Sequence, residues 1–391
     1  MVATASSLNR DLIAGLKARG CLSSPRVAAA FEAVPRHLFL PGLPLEDAYA
    51  DEAITTKTID GIPVSSSSQP AIMAEMLEQL EALPGQNVLE IGSGSGYNAA
   101  LLGHLVGSKG NVVSLDIDAD LVAGARAHLD AAGSANVAVL QGDGGYGHPA
   151  RSPYDRIIVT AAAVDITAAW REQLKPGGRL VLPLVLLGGA QASVAFVQKG
   201  GWLESASLTL CGFMPLRGAF ADVPRRITLA ESVNLFGDQA GLVEKEVLAA
   251  WMRERGQVVE LGIEAAADQL SSRFRPWLAL TDPNHVIVSE VSAGDREPQR
   301  YRYFSGVLLP GGLALLALDD GQRASIRSLG PEREAAERLR RLLRDWDAAG
   351  RPGLEAVTIR SYPPGQAPRP GRGEREIARP STTLLLSIRR M

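Results

Sequence analysis

The spacing of apolar residues changes character twice along this chain. Leu12 to Arg19 and Val27 to Val34 repeat at helical intervals and stop at Val34-Pro35-Arg36-His37. Gln69 to Leu80 is helical again, and Ile72, Met73, Met76 and Leu80 share one face, which reads as core. Between them, Ala48 to Ser68 is polar, turn-rich and without a clear period, which predicts a loop laid over another element. Short apolar runs then alternate with helical segments. Strands are predicted at Asn87–Ile91, Asn111–Asp116, Val137–Gln141, Asp155–Thr160 and Gly178–Pro183, with helices including Ala119–Ala132 and Ile166–Leu174. This alternation predicts an α/β, Rossmann-like fold, a parallel sheet covered by helices on both faces. Lys175-Pro176-Gly177-Gly178 reads as the stop between the last helix and the next strand.

After about Arg217 the pattern changes. Strand-like pieces (Val258–Leu261, His285–Val291, Arg300–Leu308, Gly312–Leu318) surround helices at Gly241–Arg253 and Glu332–Asp347. In the second of these, Leu339, Leu342, Leu343 and Trp346 face inward and the arginines form a solvated face. Ser361–Pro380, rich in Pro, Gly and Arg, is expected to be mobile and solvated, and Thr382–Ile388 reads as a last strand. The expected organisation is a domain over 1–217, with a helical and substrate-loop part at 1–75 and a cofactor-binding core at 76–217. A C-terminal α+β domain of unknown role covers 218–391.

The chemistry concentrates after the first parallel strand, where Asn87-Val-Leu-Glu-Ile-Gly-Ser-Gly-Ser-Gly-Tyr97 runs from strand through three alternate glycines into a helix. Glycines there let a ligand approach the backbone. The spacing of Gly92, Gly94 and Gly96, preceded by the acid Glu90, differs from the Gly-x-Gly-x-x-Gly of dinucleotide sites. S-adenosylmethionine, which has no phosphate, is the better candidate. Asp116 ends the second strand about 20 residues past the glycines, where an acid can bind ribose hydroxyls. Asp143, with Gly144 beside it, ends the third, where a carboxylate could accept from an exocyclic adenine amine. Both aspartates are also ordinary turn formers.

Composition narrows the setting. The chain has 391 residues, 46% hydrophobic and 21% charged, with net charge -3, a profile that calls for neither nucleic acid nor a membrane surface. Cys21 and Cys211 are far apart, lack metal-ligand neighbours and read as buried thiols of a reducing compartment. No metal site is expected. The N-terminal residues carry no basic segment followed by an apolar core, and stretches such as Leu180–Leu187 are too short to span a bilayer, so the cytoplasm is expected.

Several motifs in order resemble the protein-L-isoaspartate O-methyltransferase family. They are Val34-Pro35-Arg36-His37-x-Phe39, Ala48-Tyr49-x-Asp51, Ser68-Gln69-Pro70, Leu89 to Tyr97, Gly142-Asp143-Gly144, Leu174-Lys175-Pro176-Gly177-Gly178 and Pro215-Leu216-Arg217. The resemblance covers slightly over half the chain. It implies a class I methyltransferase that moves a methyl group from S-adenosylmethionine to an aspartyl or isoaspartyl carboxylate in a polypeptide. Such a carboxylate, with a reference pKa near 4, is already ionised at neutral pH and needs no general base. By resemblance Ser68 hydrogen-bonds the incoming carboxylate, although the serine run also suits a helix N-cap. Ser67 and Gln69 flank it, and Thr160 and Ala161 open a small-residue stretch against which substrate could lie or a helix could pack. His148 more simply packs or caps.

Two features depart from the family pattern. The approach to the serine, Thr55 to Val64, replaces a compact loop carrying Gly and Gln, and Ser67 takes the place of an apolar residue. The chain also continues well past Arg217. Extended relatives resemble methyltransferases of ribosomal peptide maturation (lanthipeptide or ATP-grasp pathways), which implies as an alternative a dedicated peptide whose aspartyl ester closes to aspartimide and reopens as isoaspartate. Two other readings stay open: a nicotinamide-dependent dehydrogenase, against which the glycine spacing counts, and a peptide-binding protein with an inactive core. The sequence leaves the oligomeric state open.

Overall fold

The computed structural model describes residues 4–186, 189–221, 226–237, 239–291, 301–318 and 324–389. Leu187 and Arg300, at the ends of two predicted apolar segments, lie outside them. Thr4 caps α1 (Ala5–Ala18), its hydroxyl accepting from the Ser7 amide, and Ser24 with Pro25 starts α2 (Pro25–Ala33). A short α3 (Leu45–Ala48) follows. The predicted loop is then a β-hairpin, β1 (Ile54–Ile59) and β2 (Ile62–Ser67). Its turn holds Asp60 and Gly61 at φ 49° and 76°, the pair of positive angles that a two-residue hairpin loop needs. Period 2 was hidden because most residues of β1 face solvent on both sides.

Pro70 opens α4 (Pro70–Leu80), and the alternation follows: β3 (Asn87–Ile91), α5 (Tyr97–Val106), β4 (Asn111–Asp116), α6 (Ala119–Ala131), β5 (Val137–Gln141), β6 (Tyr154–Val159), α7 (Ala168–Gln173) and β7 (Leu174–Val185). Strands β5-β4-β3-β6-β7 pair in parallel. Successive residues bury opposite faces. Val88, Val112 and Ile158 pack under α1, α2, α4 and α5, whereas Leu89, Val113 and Ile157 pack with Trp170 and Leu180. The expected α/β, Rossmann-like parallel sheet with both faces covered is therefore present. Lys175–Gly178 is no stop. Tyr154 pairs with Leu174 and Arg156 with Arg179, so the turn is looped out inside β7.

Antiparallel β8 (Gln191–Gln198) and β9 (Leu203–Leu210) extend this sheet. A second, seven-stranded antiparallel sheet, ordered β10-β11-β13-β14-β15-β16-β12, comprises β10 (Arg226–Ala230), β11 (Val233–Phe236), β12 (Gln257–Val259), β13 (His285–Val291), β14 (Tyr301–Leu309), β15 (Gly312–Leu318) and β16 (Ala324–Leu329). α8 (Lys245–Arg253) covers one face through Leu248 and Trp251, and helix Glu334–Ala348 covers the other through Leu339, Leu343 and Trp346. Not all of that helix's arginines are simply solvated: Arg338 pairs with the buried Asp282 at 2.6 Å.

The last strands, β17 (Val357–Tyr362), β18 (Glu374–Ala378) and β19 (Thr383–Ile388), return to the first sheet. Arg360 and Ser361 pair with Glu204 and Leu203, making one ten-stranded sheet. The segment Ser361–Pro380, expected to be solvated throughout, thus contains a strand paired with β19. A boundary at Arg217 would separate segments that this sheet joins. Among the described residues, no helix is long and apolar enough to cross a membrane.

Candidate active site

The chain passes from β3 to β4 and β5 on one side, then returns to β6 on the other, so the order switches between β3 and β6. A cavity of about 370 Å³ opens there, the size and place expected for a small-ligand site in such a sheet. Gly92, Gly94 and Gly96 all have positive φ, the last at the start of α5. A Cβ on Gly92 would sit 2.5 Å from Thr160 Oγ1, which donates to the carbonyls of Ile91 (3.0 Å) and Gly92 (2.8 Å). Glycine is required here by angle and by space.

The acids divide into two kinds. Asp116 lines the cavity; its carboxylate accepts from the Gly94 amide at 2.9 Å and the Asp118 amide at 3.2 Å, and burial raises its pKa. Glu90 lies behind the loop, fully buried, accepting from Asn98 Nδ2 at 2.7 Å and Ser114 Oγ at 2.5 Å. It orders the start of α5. Asp143 also does not line the cavity: it accepts from the Gly145 amide at 2.9 Å and the Ala219 amide at 2.7 Å, tying residues 218–220 to the site.

Of the residues expected to face substrate, Ser67, Ser68, Gln69, Thr160 and Ala161 all line the same cavity, as do Gly92, Gly94 and Gly144; Gly96 does not. The Ser67 hydroxyl is buried without a hydrogen-bond partner among the described residues. Gln69 is committed elsewhere, its amide donating to the Asp51 carbonyl and carboxylate at 3.0 and 3.1 Å. Met73 and Met76 are core and cavity wall at once. Cys211 lines the cavity as a free thiol that burial pushes up to about 12. His148 engages through its backbone, which donates to Gln173 and accepts from Tyr154.

Sequence reasoning assigned no role to Arg36, Asp51, Lys57 or Arg217, although three lay in quoted motifs. Asp51 accepts from the Ala71 amide at the start of α4, from Gln69 and from Arg19. Lys57 on the hairpin and Arg217 beyond β9 both pair with Asp118, at 3.1 and 2.6 Å, and Lys57 also with Asp120 at 2.7 Å. Arg217, first, and Lys57 hold the Asp118 carboxyl below its usual range. Together they fasten the hairpin across the Asp116 end of the cavity. No described group of His, Cys, Asp or Glu is arranged to hold a metal ion.

A model of the Protein-L-isoaspartate(D-aspartate) O-methyltransferase (PCMT) family matches residues 6–220. A protein-L-isoaspartate O-methyltransferase of Pyrococcus horikoshii is 45% identical over 170 residues, 43% of this chain and 74% of its own length. One from Ignicoccus hospitalis is 39% identical over 207 residues, 53% of this chain and 96% of its own. A solved protein-L-isoaspartate O-methyltransferase is similar in fold at a TM-score of 0.52 and 26% identity, over 90% of this chain and 96% of its own.

Proposed function

The chain belongs to the protein-L-isoaspartate(D-aspartate) O-methyltransferase family, and from that premise we propose that it methyl-esterifies the free carboxylate of an isoaspartyl residue, or an aspartyl side chain, in a polypeptide. It is an S-adenosylmethionine-dependent methyltransferase. The observation that carries the substrate reading is that the glycine cradle and Ser68 line one cavity. Gly92 and Gly94, left open where a Cβ would intrude or strain, and the buried Asp116 suit the cofactor's methionine and ribose portions. The cofactor supplies an electrophilic methyl group.

The protein's own work is orientation and exclusion of water. Ser68 at the head of α4 offers a hydroxyl to the carboxylate, Thr160 and Ala161 give a small-residue wall, and the hairpin held by Lys57 screens the site. The nucleophile arrives ionised, so no residue needs to remove a proton. The solved relative extends over most of the second part of this chain too. The extension therefore does not by itself favour a dedicated peptide over isoaspartyl polypeptides generally.

The test is methyl transfer from labelled S-adenosylmethionine to an isoaspartyl peptide and its aspartyl twin. Turnover of the isoaspartyl form is expected. Inactivity on both, with S-adenosylhomocysteine still bound, would overturn the general-substrate reading and favour a dedicated peptide.

A further inference from the structure

Arg36 is wholly buried, yet among the described residues it has no carboxylate partner. Its guanidinium instead donates to three backbone carbonyls: Ala50 at 2.8 Å, Glu52 at 3.1 Å and Ser68 at 3.2 Å. Its carbon lies 5.9 Å from the centre of the Tyr97 ring, on the first residue of the helix that follows the glycine loop. Among the described residues Nε has no partner, and neither has the Tyr97 hydroxyl or the Ser67 hydroxyl, both on residues that line the cavity. A buried cation without a counter-ion is costly, and one beside a cavity that accepts an anion has a physical explanation.

We propose that Arg36 is a positioning residue for the carboxylate of the polypeptide substrate: it fixes the Ser68 backbone from behind and, without itself reaching the cavity, lends the seated carboxylate the field of a buried positive charge. This rests on the reading that Ser68 receives the carboxylate. The fork geometry matters as much as the charge, because one planar group gathers the approach segment, the head of α4 and the cofactor-side helix. The other charged or titratable groups facing it are Asp51 and Tyr49 on the approach segment and Tyr97 on α5. Asp51 is engaged by Arg19, Gln69 and Ala71, and Tyr49 lies 2.8 Å from His37 Nδ1. Asp51 favours the charged form of Arg36 only from a distance, its own hydrogen bonds being spent on those other groups.

The experiment compares wild type, Arg36→Gln and Arg36→Lys on an isoaspartyl peptide, with S-adenosylhomocysteine affinity measured separately by calorimetry. Arg36→Gln should raise peptide KM at least about tenfold while cofactor affinity stays within about twofold. Because the bound carboxylate loses a nearby cation, the acid limb of kcat should move to higher pH by about half a unit or more. Arg36→Lys should restore the acid limb but not the full KM. A folded Arg36→Gln enzyme with wild-type KM and an unmoved acid limb would overturn the proposal. If that variant does not fold, wild type alone decides: an isoasparaginyl peptide, the neutral carboxamide isostere, should bind at least about tenfold less tightly than the unmethylated isoaspartyl peptide. Equal binding would overturn the proposal too. A wild type that leaves the isoaspartyl peptide unmodified would instead remove the functional reading beneath it.

Discussion

Glu90 is the buried acid whose protonation the fold alters most legibly. Burial pushes its carboxyl from 4.5 up to about 7, against the opposing donors Ser114 and Asn98 and with a further push from Asp116. A raised pKa means that the folded state holds the proton more tightly than the unfolded chain. Stability from this group is therefore full below about pH 4.5 and falls as pH rises through about 7. At about 1.36 kcal/mol per unit, that interval is worth about 3 kcal/mol. Glu90→Gln removes the titration and keeps the contacts. Its carbonyl can accept from Asn98, and its amide can donate to Ser114 Oγ, which can in turn donate to Ser93 Oγ 2.6 Å away. Urea unfolding at pH 4.5 and pH 8 should show near-equal stability at the lower pH and a variant up to about 3 kcal/mol more stable at the higher. A difference independent of pH would refute the reasoning, because a packing effect does not titrate.

Gly92→Ala places a methyl group against Thr160 Oγ1 at φ 98°, so S-adenosylhomocysteine affinity measured by calorimetry should fall at least about tenfold. Ser68→Ala should keep cofactor affinity and slow methyl transfer, read as radiolabel incorporated per minute; an unchanged rate removes Ser68 from the reaction. Lys57→Met unfastens the hairpin from Asp118 and Asp120, so stopped-flow release of S-adenosylhomocysteine should quicken, and added salt should quicken it in wild type more than in the variant. Deleting everything after Arg217 should yield insoluble protein, whereas circular dichroism of a chain that loses only the second sheet's strands and keeps residues 354–389 should retain the first sheet.

The parallel strands were legible because each is a short apolar run buried on both faces and bounded by polar breaks; Asn87–Ile91 and Asn111–Asp116 fall where the pattern placed them. The hairpin was not, since Thr55, Thr56 and Thr58 are all exposed and its one strong signal was the Asp60-Gly61 pair. Strands β8 and β9 went unassigned because a mixture of Ser, Gln and Glu with apolar residues obscured their period. The glycine loop and Asp116 could be placed at the cavity from types and spacing, since turn geometry and position in the sheet order dictate them, whereas Ser68 came only from the family resemblance, the serine run by itself suiting a linker and helix cap. Arg36 could not. Its partners are carbonyl oxygens, which every residue has, so no side-chain pattern betrays the contact.

The return of the chain to the first sheet changes what the second part can be. Ile359, Leu384 and Leu386 join one apolar cluster with Leu180, Phe196 and Leu203, and the Ile359 amide donates to Ser205 Oγ at 2.8 Å. Arg171, on the helix before β7, donates to Thr382 Oγ1 and to the Ser381 carbonyl at 2.7 and 2.6 Å. Without these strands β9 would present an unpaired edge and the cluster an open face. The antiparallel sheet of residues 226–329 is thus inserted between two segments of one folded layer rather than appended to it. Non-covalent contacts join the two parts as well, among them the Arg375 guanidinium donating to the Leu280 carbonyl at 3.3 Å.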